Sequence, residues 1–151
     1  MAAPIIPHAT DCIIVMPDKT FVDTNILVYA HDLQAGTKHS MAAEEIERIW
    51  HAKTGTVSLQ VLQEFYVTLT QKVARPVGSK TARDLLEKYG SWEVVVPDVP
   101  DLLEAVDLQK KSHFSFWDAL IVQSALRADC SVLLSEDFQH GQKVENLTIR
   151  N

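Results

Sequence analysis

Asp23, Glu64, Asp118 and Asp137 are carboxylates at or near the ends of hydrophobic elements, where an uncharged turn would serve the chain as well. Four carboxylates brought together repel one another, and some of their pKa values must rise. A divalent cation removes that cost. Carboxylate oxygen is a hard ligand, so magnesium or manganese is the ion such a cluster would hold. The chemistry that follows is Lewis-acid activation of water against a phosphate ester.

Each acid also has a purely local use. Asp23 follows the short strand Thr20-Phe21-Val22 and can cap the helix that starts near Asn25, and Thr24 and Asn25 can cap as well. Asn25 could instead hydrogen-bond a partner carboxylate. Glu64 lies on the flank of its helix, where plain solvent exposure would account for it. Ser115-Phe116-Trp117-Asp118 has the form of a capping box, with Asp118 at its third helical position. Phe116 and Trp117 read as core rather than as substrate platforms. Asp137 could be a turn residue. Glu136 competes with it, although alternation beyond the strand puts Ser135 and Asp137 on one side and favours Asp137.

Strands alternating with helices must position these acids. Residues 1–19 contain three prolines and little periodicity, and read as an N-terminal arm ahead of a domain over 20–151. After the first strand and a short helix through Tyr29, residues 39–52 follow a helical pattern with Ala43, Ile46, Ile49 and Trp50 on one face, ended by Gly55. Thr56–Ser58 reads as a strand. A helix from about Gln60 carries Val61, Leu62, Phe65 and Leu69 on one stripe, broken by Pro76 and Gly78. Ser79 is placed to cap a helix over 80–89, closed by Gly90. Trp92–Val96 is a β-branched strand stopped by Pro97, and Asp101–Lys110 is helical. The run Ala119–Leu126 is almost wholly apolar and reads as a buried helix. Val132–Leu134 and Leu147–Ile149 complete the strands. This alternation predicts an α/β layer fold with a mostly parallel sheet. Ligands of such sheets bind beyond the carboxyl ends of the strands, the side on which Asp23 and Asp137 fall.

At 151 residues with 46% hydrophobic and 23% charged residues, one domain with one core is expected. No apolar stretch approaches the roughly 20 residues that span a bilayer. The N-terminus lacks a signal-peptide pattern, so a cytoplasmic protein is expected. Cys12 and Cys130 form no CxxC, and no disulfide is expected between them. None of the six histidines forms an HxxxH pair. The net charge of −6 looks unfavourable for binding nucleic acid. Two divalent ions would take −6 + 4 to −2. Lys72, Arg75, Lys80 and Arg83 also form a basic stretch with no acid among them, a candidate RNA contact beside the plainer reading of a solvated loop and helix start.

Phe21-Val22-Asp23-Thr24-Asn25-Ile26-Leu27-Val28-Tyr29 resembles the opening of a PIN domain. Ser58 to Phe65 resembles its second acidic motif, Phe116 to Ile121 the third, and Leu134 to Phe138 the fourth. The resemblance runs in order from Phe21 to the C-terminus, and its style is similar to the VapC-type toxins of bacterial toxin–antitoxin pairs. It implies a three-layer α/β/α sandwich and a Mg²⁺- or Mn²⁺-dependent endoribonuclease. The implied catalytic and metal-binding residues are Asp23, Glu64, Asp118 and Asp137, with Thr24, Asn25 and Ser135 as supporting polar groups. It further implies a homodimer and a small antitoxin that blocks the site. The N-terminal arm and the acidic net charge depart from the family pattern.

Two rivals belong to other classes. A haloacid-dehalogenase-type phosphatase also opens on an acid after its first strand, but uses Asp-x-Asp where this chain has Asn25. A PIN-like domain that only binds RNA or protein would not need all four acids.

Overall fold

The computed structural model describes residues 18–151. Its centre is a six-stranded sheet. In chain order, β1 (Thr20–Val22) leads into α1 (Thr24–His31), a 3-10 turn (Leu33–Ala35) and α2 (Thr37–Ala52). Then come β2 (Gly55–Ser58), α3 (Leu59–Gln71), α4 (Ser79–Tyr89) and β3 (Glu93–Val95). The chain continues through α5 (Val99–Ser112), α6 (Phe116–Arg127), β4 (Val132–Leu134), β5 (Lys143–Val144) and β6 (Leu147–Arg150). The strand order is β3-β2-β1-β4-β6-β5. All pairs are parallel except β5 with β6. The fold is the expected α/β sandwich with a mostly parallel sheet.

Burial on both faces explains why the central strands β1 and β4 are buried at every position, whereas β6, nearer the edge, buries only Leu147 and Ile149. Phe21, Val22, Val57 and Leu133 are fully buried, and they share one core with Leu27, Ile49, Phe65 and Ile149. A smaller cluster, Ala105, Ala119 and Leu120, seals α5 to α6 with help from Phe116. The helix predicted from its apolar run is buried from Ala119 to Ala125. No helix among the described residues is long and apolar enough to cross a membrane. Cys130 is buried with a free thiol; Cys12 lies outside the described residues.

Several boundaries differ from the expectations, each for a local reason. Lys53, in the left-handed region at φ 58°, closes α2, and Gly55 begins β2 instead of ending the helix. Gly55 has another use. A Cβ there would stand 2.5 Å from the Trp92 ring, so only glycine lets the indole lie on the start of the strand. Ser79 is the first residue of α4, and Gly78 occupies the capping position without a side-chain bond. α5 begins earlier than predicted, because Asp98 and Asp101 form a reciprocal capping box with Pro100 in the first turn. β5 has too little chain to leave a pattern. Trp117 is 62% exposed, against the expectation of core, while its neighbour Phe116 in the same first turn packs on the α5–α6 cluster.

Of the expected N-terminal arm, residues 1–17 lie outside the described residues. The Lys19 carbonyl accepts from Ser131 and Val132 N–H at 3.0 and 3.3 Å, tying the chain ahead of β1 to the start of β4.

Candidate metal centre

The register of the sheet sets the site. Val22 pairs with Leu134, so the residues that follow them, Asp23 and Ser135, leave the sheet side by side. The Asp23 N–H donates to the Leu134 carbonyl at 2.9 Å, which holds the two chain ends together. Ser58, at the end of neighbouring β2, caps α3 by accepting from Val61 N–H at 3.2 Å. Three strand ends therefore feed one edge of the sheet, where ligands of parallel sheets bind.

Asp23 is the buried member, only 4% exposed. It is the N-cap residue of α1, and its Oδ1 accepts from the N–H of the first helical residue, Thr24, at 2.7 Å. Its Oδ2 accepts from the Ser135 hydroxyl at 2.7 Å. Capping and site geometry thus use different oxygens of one carboxylate. Burial pushes the Asp23 pKa up to about 6; the bonds from Ser135 and Thr24 pull it back, and the charges of Asp137 and Glu64 raise it further.

Glu64 stands one helical turn and a half into α3 on an exposed side chain, yet both its oxygens are bonded. Oε2 accepts from the Thr24 hydroxyl at 2.7 Å and Oε1 from Gln60 Nε2 at 2.9 Å. Gln60 escaped the sequence reading; the available signal was its i,i+4 spacing from Glu64 on one helix face. Asp118 lies in the first turn of α6, its N–H donating to Ser115 Oγ at 3.1 Å. Ser115 is the cap as expected, and α6 carries one half of the expected box, the bond to Ser115.

Asp137 and Glu136 part company. The Asp137 N–H donates to Ser135 Oγ at 3.1 Å. Partial burial raises the Asp137 carboxyl, and the charges of Asp118, Glu136 and Glu64 add to it, opposed by the Asn25 amide. Glu136 is instead engaged by Lys38 and the Tyr29 hydroxyl, which hold its carboxyl below the ordinary range. Its backbone N–H donates to Asn25 Oδ1 at 3.3 Å. Asn25 Nδ2 is buried without a formed hydrogen bond among the described residues.

Asp137 therefore lies within electrostatic reach of the other three acids, and Asp23 within reach of Asp137 and Glu64. Among the described residues, no three His, Cys, Asp or Glu side chains are close enough as placed to hold one ion. The donor set, all carboxylate with Asn25 beside it, suits a hard divalent cation such as Mg²⁺ or Mn²⁺.

The basic stretch is exposed: Lys72 closes α3, Arg75 lies in the turn, and Lys80 and Arg83 sit on α4. Among the described residues none of the four hydrogen-bonds or pairs with the acids, and Arg83 stands 3.7 Å from Glu87. The chain has no match among curated proteins. Solved structures share its fold. VapC20 of Mycobacterium tuberculosis, a sarcin–ricin-loop-cleaving toxin, superposes with a TM-score of 0.61 at 18% identity, covering 83% of this chain and 97% of that one. A toxin–antitoxin complex from Klebsiella pneumoniae gives 0.64 at 16% identity, covering 85% and 95%. VapBC2 of Rickettsia felis, bound to a promoter DNA fragment, gives 0.59 at 18%, covering 87% and 97%. At these identities the likeness is one of fold. The sequence itself matches the PIN domain family over residues 20–144, from the first strand to β5. With the order of strands, the acids at their ends and this match in agreement, the chain belongs to the PIN domain family.

Proposed function

We propose that the protein is an endoribonuclease that hydrolyses RNA phosphodiester bonds at a magnesium or manganese site held by Asp23, Glu64, Asp118 and Asp137. The observation that carries this reading is the Asp23 carboxyl, buried at the sheet edge beside two other acids and raised to about 6. A buried acid under like charges is costly to the fold, and a divalent cation offsets that cost. When bound, the ion supplies Lewis-acid stabilisation of the phosphate and a lowered pKa for attacking water. The chain's part is to fix the ligands. Thr24 N–H and Ser135 hold the two oxygens of Asp23, and the Asn25 amide faces Asp137. No covalent nucleophile is needed, and Ser135 is occupied in hydrogen-bonding Asp23.

The role of a toxin in a VapBC-type pair, the small antitoxin partner and the homodimer are part of the same proposal. The toxin role and the antitoxin partner are supported by the toxin and toxin–antitoxin structures that share the fold, while the homodimer rests on the family resemblance. Lys72, Arg75, Lys80 and Arg83 are proposed as RNA-contacting residues, and the cytoplasm as the compartment.

The test is cleavage of RNA by the purified protein in Mn²⁺, in EDTA and after Asp23→Asn. Cleavage in Mn²⁺ should fall by more than roughly 100-fold in the other two cases, with the fold retained. Full cleavage by Asp23→Asn or in EDTA would overturn the proposal. A phosphoaspartate trapped on Asp23 would replace it with a phosphatase.

A further inference from the structure

Glu64 presents a physical problem. It is an exposed, flexible side chain whose charge is repelled by Asp23 and Asp137. Left to itself, it would gain rotamer freedom and lower its energy by swinging into solvent, and holding it at the site costs side-chain entropy. The structure holds it with two bonds from two different elements. The Thr24 hydroxyl, at the start of α1, bonds Oε2 at 2.7 Å, and Gln60 Nε2, one turn earlier on α3, bonds Oε1 at 2.9 Å.

We infer that Gln60 is a positioning residue, which with Thr24 clamps Glu64 for metal binding; this rests on the metal-site reading above. Two observations beyond the distance support it. Each Glu64 oxygen accepts only one of these bonds, so lone pairs remain on both for an ion. The other end of the Gln60 amide, Oε1, is buried without a hydrogen-bond partner among the described residues. A buried unpartnered carbonyl is costly. The Gln60 amide bears that cost while its one formed bond goes to Glu64, and turning the amide round would set oxygen against oxygen. The two bonds also differ in origin. Thr24 is fixed beside Asp23 by the chain, so its hydroxyl sets the distance between Glu64 and the buried acid. Gln60 lies on the same helix as Glu64 and restricts its rotamer.

The experiment is Mn²⁺ titration by calorimetry of the wild type, Gln60→Leu, Glu64→Ala and the double variant, with metal-free melting temperatures measured in EDTA. Leucine keeps the bulk of glutamine and removes the donor. Gln60→Leu should weaken Mn²⁺ binding about tenfold or more, the range for loss of a partner that orients a ligand. Its metal-free melting temperature should not fall. In the Glu64→Ala background the same substitution should have no further effect on binding, because the group it positions is gone. Unchanged or tighter binding by Gln60→Leu would overturn the inference. So would an equal loss in the Glu64→Ala background, or a lowered metal-free melting temperature, since both assign Gln60 to packing. Absence of Mn²⁺ binding by the wild type at millimolar metal is a different result: it overturns the metal-site reading itself, and the clamp with it.

Discussion

The Ser135 hydroxyl donates to Asp23 Oδ2 at 2.7 Å, although 112 residues separate them in the chain. The same oxygen of Ser135 accepts from the Asp137 N–H at 3.1 Å. One small side chain therefore links two of the four acids, and its position follows from the pairing of Val22 with Leu134 in the sheet.

Ser135→Ala removes both bonds and leaves a buried carboxylate oxygen and a backbone N–H without partners. It should cost about 1–3 kcal/mol of metal-free stability. It should also lower Mn²⁺ affinity by roughly 10- to 100-fold. Urea unfolding and Mn²⁺ titration check the two effects; a variant as stable as the wild type would show that water replaces the hydroxyl without loss.

The pH dependence of the metal-free protein has a definite sign. Asp23 is raised from 3.8 to about 6 in the folded protein, so the fold binds its proton more tightly than the unfolded chain does. The stability this group contributes is complete below pH 3.8 and is lost as the pH rises through about 6. Asp137 is shifted in the same direction. In EDTA, Asp23→Asn should therefore gain stability over the wild type between pH 4 and pH 7, by about 1–3 kcal/mol. Urea midpoints for the two proteins at both pH values measure this. Parallel pH profiles would mean that Asp23 is solvated and titrates normally.

Glu136 and Asp137 should separate by function. Glu136 is tied to Lys38 and Tyr29 at the surface, so Glu136→Gln should change stability by no more than about 1 kcal/mol and leave cleavage within a few-fold. Asp137→Asn should reduce cleavage by more than about tenfold. Rates on one RNA substrate decide between them, and the reverse order would make Glu136 the fourth acid.

Gly55→Ala tests the fold away from the site. The added methyl would meet Trp92 at 2.5 Å, and displacing that ring should cost about 1–3 kcal/mol. Mn²⁺ affinity should be unchanged, because Gly55 begins β2, at the opposite end of the strand from α3, which carries Glu64. A thermal melt and a Mn²⁺ titration are the checks; unaltered melting would mean the indole moves aside freely.

The parts of this fold that were legible in the sequence rest on short-range physics. The apolar run of α6, the β-branched strand before Pro97 and the cap at Ser115 are patterns within a few residues. The features that were not legible depend on neighbours distant in sequence. β5 exists only because β6 lies beside it, and Lys53 closes α2 in a conformation that no residue type there announces. Trp117 carries a core-like side chain, but the fold leaves it in solvent.

For the candidate site, the sequence by itself determined four acids, their order and their place at the ends of strands and helices, because caps and hydrophobic periods are local. The tertiary structure alone decided which groups meet. Parallel pairing of β1 with β4 put Ser135 on Asp23. The contact of α1 with α3 let Thr24 reach Glu64, with Gln60 completing the hold. Lys38 and the Tyr29 hydroxyl engaged the carboxylate of Glu136. Hydrogen bonds act over about 3 Å, and only the folded chain brings residues so far apart in sequence within that range.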